Sequence, residues 1–118
     1  MGTRDLYYRL GPDHVVEACS FEDWGAMFQD TDARRVARTV LPSAIVSTVF
    51  LGMDHGWGQG PPVLFETMVF ARRPGTDTPD TMDDLACERY TTWAEAEAGH
   101  AALVATWQAR EGVDTTPT

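Results

Sequence analysis

Two long apolar runs dominate the chain. Residues 44–53 (AIVSTVFLGM) are apolar on both alternating faces apart from Ser47 and Thr48, and residues 63–71 (VLFETMVFA) form their counterpart. Runs of this kind predict central strands covered on both sides. The nine residues between them, 54–62, are rich in glycine and proline and cannot extend a sheet. A long antiparallel hairpin with this loop at its tip is the simplest topology. Pairing Met53 with Val63 would set Glu66 opposite Phe50.

Upstream, Leu6-Tyr7-Tyr8-Arg9-Leu10 and His14-Val15-Val16-Glu17 flank Gly11-Pro12-Asp13, which is hairpin chemistry. Ser20 then caps a helix whose apolar stripe is Phe21, Trp24 and Phe28. Asp32 is expected to cap a second short helix running through Val36 and Val40 to Pro42. Residues 73–83 read as a flexible polar connection. Leu85 to Tyr90 is a last strand. Thr91 or Thr92 caps the most regular helix, from Trp93 to about Arg110, with Trp93, Ala96, His100, Leu103, Val104 and Trp107 on one face. Gly112 is expected to stop that helix, leaving 112–118 as a disordered tail. The expected fold is therefore α+β: a single domain over 1–118 with an antiparallel sheet of about four or five strands. The C-terminal helix packs on one sheet face, with the short N-terminal helices beside it.

Composition narrows the function classes. A chain of 118 residues fits one domain, and 43% hydrophobic residues suffice for a core without covalent staples. Eighteen acidic against nine basic residues give a net charge of -9. That field disfavours nucleic acid and anionic membranes as partners. The acids show no regular phosphate-like spacing, which argues against mimicry of DNA. Every basic residue is arginine, so lysine Schiff-base chemistry and the Gly-Lys-Ser/Thr phosphate loop are excluded. Cys19 and Cys87 are isolated thiols and read as reduced and partly buried, Cys87 as a small core residue. With no signal-peptide pattern and no apolar run of membrane-spanning length, a cytoplasmic location is expected.

The strings Val46-Ser47-Thr48-Val49-Phe50-Leu51-Gly52-Met53-Asp54-His55, Trp57-Gly58, Gly60-Pro61-Pro62 and Phe65-Glu66-Thr67-Met68-Val69-Phe70 resemble a group of small bacteriophage and prophage proteins, often of actinobacteria. Glu88-Arg89-Tyr90-Thr91-Thr92, with Glu95-Ala96 and Ala98-Gly99-His100, resembles the closing strand and helix of the same group. The resemblance covers residues 44–72 and 86–104. It implies a phage accessory protein, a class rich in small proteins that bind and disable host factors, acting in the host cytoplasm. It brings no activity and no catalytic residue.

Candidate chemistry is sparse. Asp54 and His55 are an adjacent carboxylate and imidazole that can act as acid, base or ligand, or can simply build the turn. Glu66, in mid-strand, needs a partner such as Arg89 or Arg72. His100 lies on the apolar helix face, as a satisfied core histidine or as part of a site. Glu97 and His100 spell Glu-x-x-His, but only once, so no metal site is expected. No serine lies in a nucleophile elbow, and the glycine-rich loop leads into a strand, not a helix N-terminus. The leading expectation is a non-enzymatic interaction module, with no cofactor, that binds a host or phage protein and forms a homo-oligomer. One alternative is a sequestering protein that holds a small nucleotide-like ligand with Trp57, Arg72 and Arg89. The other is a hydrolase using Asp54, His55, Glu66 and His100, which requires those side chains to converge.

Overall fold

The computed structural model describes residues 6–56 and 60–115, the last four as backbone alone. Trp57, named above among the residues holding a ligand, lies outside the described residues. The fold is α+β, with a two-stranded and a four-stranded antiparallel sheet and a C-terminal helix packed on the larger one.

The N-terminal hairpin pairs β1 (Tyr8–Leu10) with β2 (Val16–Ala18) around a single 3-10 turn, Pro12–His14. Helix α1 (Phe21–Phe28) starts where Ser20 Oγ accepts from the Asp23 N–H at 3.1 Å. The second helix departs from expectation. Asp30, not Asp32, caps α2 (Thr31–Arg34), with Oδ1 accepting from the Ala33 N–H at 3.1 Å, and α2 ends after four residues. Residues expected to be helical instead form strand β3 (Arg35–Val40). Val36, Thr39 and Val40 are β-branched and fit a pleated surface, and a neighbouring strand was available to pair with.

In the larger sheet β3 is followed by β4 (Ala44–Phe50), β5 (Phe65–Arg72) and β6 (Pro79–Tyr90), in that spatial order. The two apolar runs do form the central hairpin. Its register is one residue from that expected: Phe50 faces Phe65, and Glu66 faces Val49 on one side and Arg89 on the other. The register is decided by burial, because it sets Phe50, Phe65, Val46 and Val69 together on the inner face. Coverage of the outer face is partial: Ile45 and Phe70 on that face are buried, at 1% and 8% exposure. The outer face leaves Ser47, Val49, Glu66 and Met68 half-buried.

Residues 73–83 are not one long flexible connection. Only 73–78 turn, and β6 then begins at Pro79, six residues before the expected strand. The Arg72 guanidinium holds this turn, donating from Nε to the Thr76 carbonyl at 2.5 Å and from Nη1 to the Leu41 carbonyl at 3.3 Å. Strand β6 rejoins the ladder through two irregularities, between its partners Phe70 and Arg72 and between Val69 and Phe70.

Helix α3 (Trp93–Thr115) runs past Gly112, which therefore does not stop it. A mid-helix glycine costs about 1 kcal/mol but need not terminate a helix that is anchored elsewhere. Near its far end Glu111 Oε1 accepts from the Ser43 N–H at 2.8 Å, tying α3 to the β3–β4 turn. Leu103, Val104 and Trp107 pack on Leu41, Ala44, Val46 and Val69; Ala96 and Trp93 pack on Phe50, Leu64 and Phe65. The small sheet joins the assembly where the chain leaves β4: the Tyr8 N–H donates to the Gly52 carbonyl at 2.7 Å, and Tyr7 bridges Met53. Gly52 has φ 74, and a Cβ there would meet the Trp24 ring at 2.7 Å. Only glycine satisfies both the left-handed backbone and that close approach.

Candidate functional site

The candidate residues fall in three separate places. At the hairpin tip, Asp54 Oδ1 accepts from the N–H groups of Gly56 at 2.7 Å and Val63 at 2.9 Å. The His55 N–H donates to the Val63 carbonyl at 2.9 Å. Asp54 thus staples both ends of the loop, the turn-building alternative, because an aspartate oxygen mimics the carbonyl a tighter turn would supply.

On the outer sheet face Glu66 Oε2 accepts from Arg89 Nε at 3.0 Å across the β5–β6 ladder. The expected structural ion pair is present, and its partner is Arg89. Arg72 is engaged in the 73–78 turn and lies 3.4 Å from Asp77. Cys87 is exposed on the sheet edge, contrary to the core position expected for it. Its Sγ–H points at Glu66 Oε2 at 3.5 Å. Burial of the sulfur and, next, the Glu66 carboxylate push this thiol up to about 11. Near neutral pH it stays protonated and is a poor nucleophile. Both arginines proposed to hold an anion are therefore paired within the fold.

The third place is buried. His100, 7% exposed, inserts from α3 against the inner face of the sheet. Its Nδ1 shares a 2.7 Å hydrogen bond with Thr48 Oγ1, and its Nε2 a 2.8 Å bond with Thr39 Oγ1. Thr48 Oγ1 in turn bonds Thr67 Oγ1. Burial lowers the histidine pKa, so the neutral ring dominates. A neutral imidazole donates from one nitrogen and accepts at the other, which two threonine hydroxyls can match in either tautomer. The polar chain Thr39–His100–Thr48–Thr67 therefore links three strands to α3. The core-histidine alternative holds, and the sequence reading missed its partners. The signal was there: Thr48 and Thr67 are hydroxyls that alternate with apolar residues on one face of their strands.

Beside this chain lies Tyr90, whose hydroxyl is buried and whose ring packs over Gly99; a Cβ on Gly99 would fall 2.3 Å from that ring. Burial raises the tyrosine pKa.

These groups do not form one constellation. Glu66 and Thr67 are consecutive in β5, so their side chains leave opposite faces, and His100 is bonded on the Thr67 side. Glu66 therefore cannot meet His100, and Asp54 is engaged at the loop. The convergence a hydrolase needs is not present among these four. Glu97 is exposed while His100 is buried, which splits the Glu-x-x-His pair. Among the described residues no three His, Cys, Asp or Glu side chains gather as a metal site requires, and no helix is long and apolar enough to cross a membrane.

Among the described residues, clefts of about 310 Å³ open at two places on the surface. One lies beneath His14, whose ring stacks on Trp93 at 3.6 Å, and includes Val15, Thr91 and Thr92. The other lies between β6 and α3, lined by Glu88, Tyr90, Gly99, Ala102, Leu103 and Thr106. The outer strand carries two large apolar side chains in solvent, Met82 at 80% and Leu85 at 53% exposure. In comparison with known proteins, the chain matches no family model, no curated protein and no solved structure.

Proposed function

We propose that this protein is a non-enzymatic interaction module that contacts another protein through the β6 side of its sheet. One contrast carries the reading. Asp54, Glu66, Arg72, Arg89 and His100 are engaged in contacts that hold the fold together, whereas β6 is an edge strand that presents Met82 and Leu85 to solvent. Large exposed apolar side chains on a sheet edge are a hazard unless a partner covers them. The resemblance of residues 44–72 and 86–104 to phage accessory proteins supports a host macromolecule as that partner.

The test is a quantitative interaction screen of the wild type against a Met82→Asp/Leu85→Asp variant of unchanged stability. The reading expects at least one partner held by the wild type and lost by the variant. It is overturned if every partner is retained, or if the wild type turns over an ester, nucleotide or peptide and His55→Ala abolishes that turnover.

A further inference from the structure

Strand β6 combines three features that together specify a partner. It is the last strand of the sheet, so one edge of its backbone is unpaired by any strand among the described residues. Residues 86–90 pair regularly with β5, whereas the stretch before them is broken by the two irregularities. The regular edge runs along the mouth of the β6–α3 cleft. The helix wall of that cleft is built from small or slender side chains, Gly99, Ala102, Leu103 and Thr106, with Tyr90 beneath.

Charge selects among occupants. Strand β6 carries Asp80, Asp83, Asp84 and Glu88, all exposed. Its single basic side chain, Arg89, is paired with Glu66. Glu88 lies in the cleft itself and makes no ion pair among the described residues. A second copy of this strand would bring like charges together in the same register, which opposes edge-to-edge dimers. A basic segment on residues 86–90 meets Glu88 in the cleft, with Asp83 and Asp84 just before the regular edge and Asp80 3.9 Å from Arg73.

We propose that residues 86–90 accept an extended basic segment of another protein as an added antiparallel or parallel strand. Main-chain hydrogen bonds would supply affinity, and alternate side chains would enter the cleft to meet Glu88. This rests on the interaction-module reading and gives its partner a chemistry.

The probe is a short labelled peptide alternating arginine and valine, titrated by fluorescence anisotropy against the full chain. Amide hydrogen exchange is read on the same complex. The expected result is binding that weakens with added salt and slower exchange concentrated at residues 86–90. Binding should fall roughly tenfold in an Asp83→Asn/Asp84→Asn variant, and Glu88→Gln should weaken it further. A version of the peptide N-methylated at alternate residues keeps its charge but loses strand pairing, and should not bind.

Equal binding of the N-methylated peptide, or of a glutamate–valine peptide, overturns the proposal. So does no binding of the arginine–valine peptide. Sedimentation showing a dimer dissolved by Leu85→Lys would also overturn it, by making a second copy the occupant. The peptide results leave the broader reading untouched, which stands or falls on the Met82 and Leu85 screen; a dimer dissolved by Leu85→Lys would replace the host partner in that reading by a second copy.

Discussion

Replacing Thr48 with valine isolates the link between helix and sheet. The side chain is wholly buried, and valine keeps its shape. The hydroxyl bonds both His100 Nδ1 and Thr67 Oγ1, so its removal strands two buried polar atoms. Each unsatisfied group costs about 1–3 kcal/mol, giving a loss of roughly 2–6 kcal/mol for Thr48→Val. Domains of this size are stable by about 5–15 kcal/mol in all, so the change is large. Urea unfolding followed by tryptophan fluorescence should show the midpoint falling by about 1–3 M with the slope unchanged. Thr39→Val should cost less, about 1 kcal/mol, because Thr39 is only half-buried and water can reach the ring nitrogen it leaves.

Acid adds a second signature of the same link. Because folding lowers the His100 pKa, the unfolded chain binds the proton more readily. This contribution is fully present above the ordinary histidine value near 6.5 and is lost as pH falls below it, with a limiting slope of about 1.4 kcal/mol per pH unit. Comparing wild type with His100→Leu between pH 7 and 5 reads this group alone, since the carboxylates titrate alike in both. The reasoning is refuted if Thr48→Val loses less than about 0.5 kcal/mol, or if His100→Leu keeps the full acid slope.

Two glycines make opposite predictions by one logic. Gly99→Ala must displace the Tyr90 ring and should cost about 1–3 kcal/mol. Gly25→Ala, inside α1 with nothing within 4 Å of the new methyl group, should stabilise by about 0.5–1 kcal/mol; thermal melts of both variants check the pair, and equal shifts would refute the packing argument. Glu66→Gln removes a carboxylate that raises the Cys87 thiol, so alkylation of Cys87 by iodoacetamide at pH 8.5 should speed up several-fold by mass spectrometry. An unchanged rate would leave burial alone as the cause. Asp54→Ala gives up two charge-assisted bonds to the loop backbone and should lower stability by about 2 kcal/mol in urea; a neutral result would show that the turn closes without it.

Local chemistry made much of the fold legible. Ser20 and Thr92 cap their helices as hydroxyls before apolar periodicity should, and the paired apolar runs could only be the sheet centre. Glu66 demanded a cation, and Arg89 supplies it. What misled was competition between elements. Val36 and Val40 suit a short helix at the spacing they have, and only the presence of β4 made a strand the better use of them. Gly112 reads as a stop in isolation, yet α3 continues to Thr115.

The candidate site divides the same way. By itself the sequence determined which residues could do chemistry, that lysine-dependent reactions were excluded, and that the loop after Met53 offered Asp54 as either a turn-builder or a chemical group. These follow from side-chain chemistry and neighbours within a few positions. Only the tertiary structure decided that Glu66 and His100 look out from opposite faces, that Thr39, Thr48 and Thr67 satisfy His100, and that β6 is an edge with a cleft beside it. Those facts depend on register and on which strand comes last. A shift of one residue turns every side chain of a strand to the other face, and the choice between registers is made by the core as a whole.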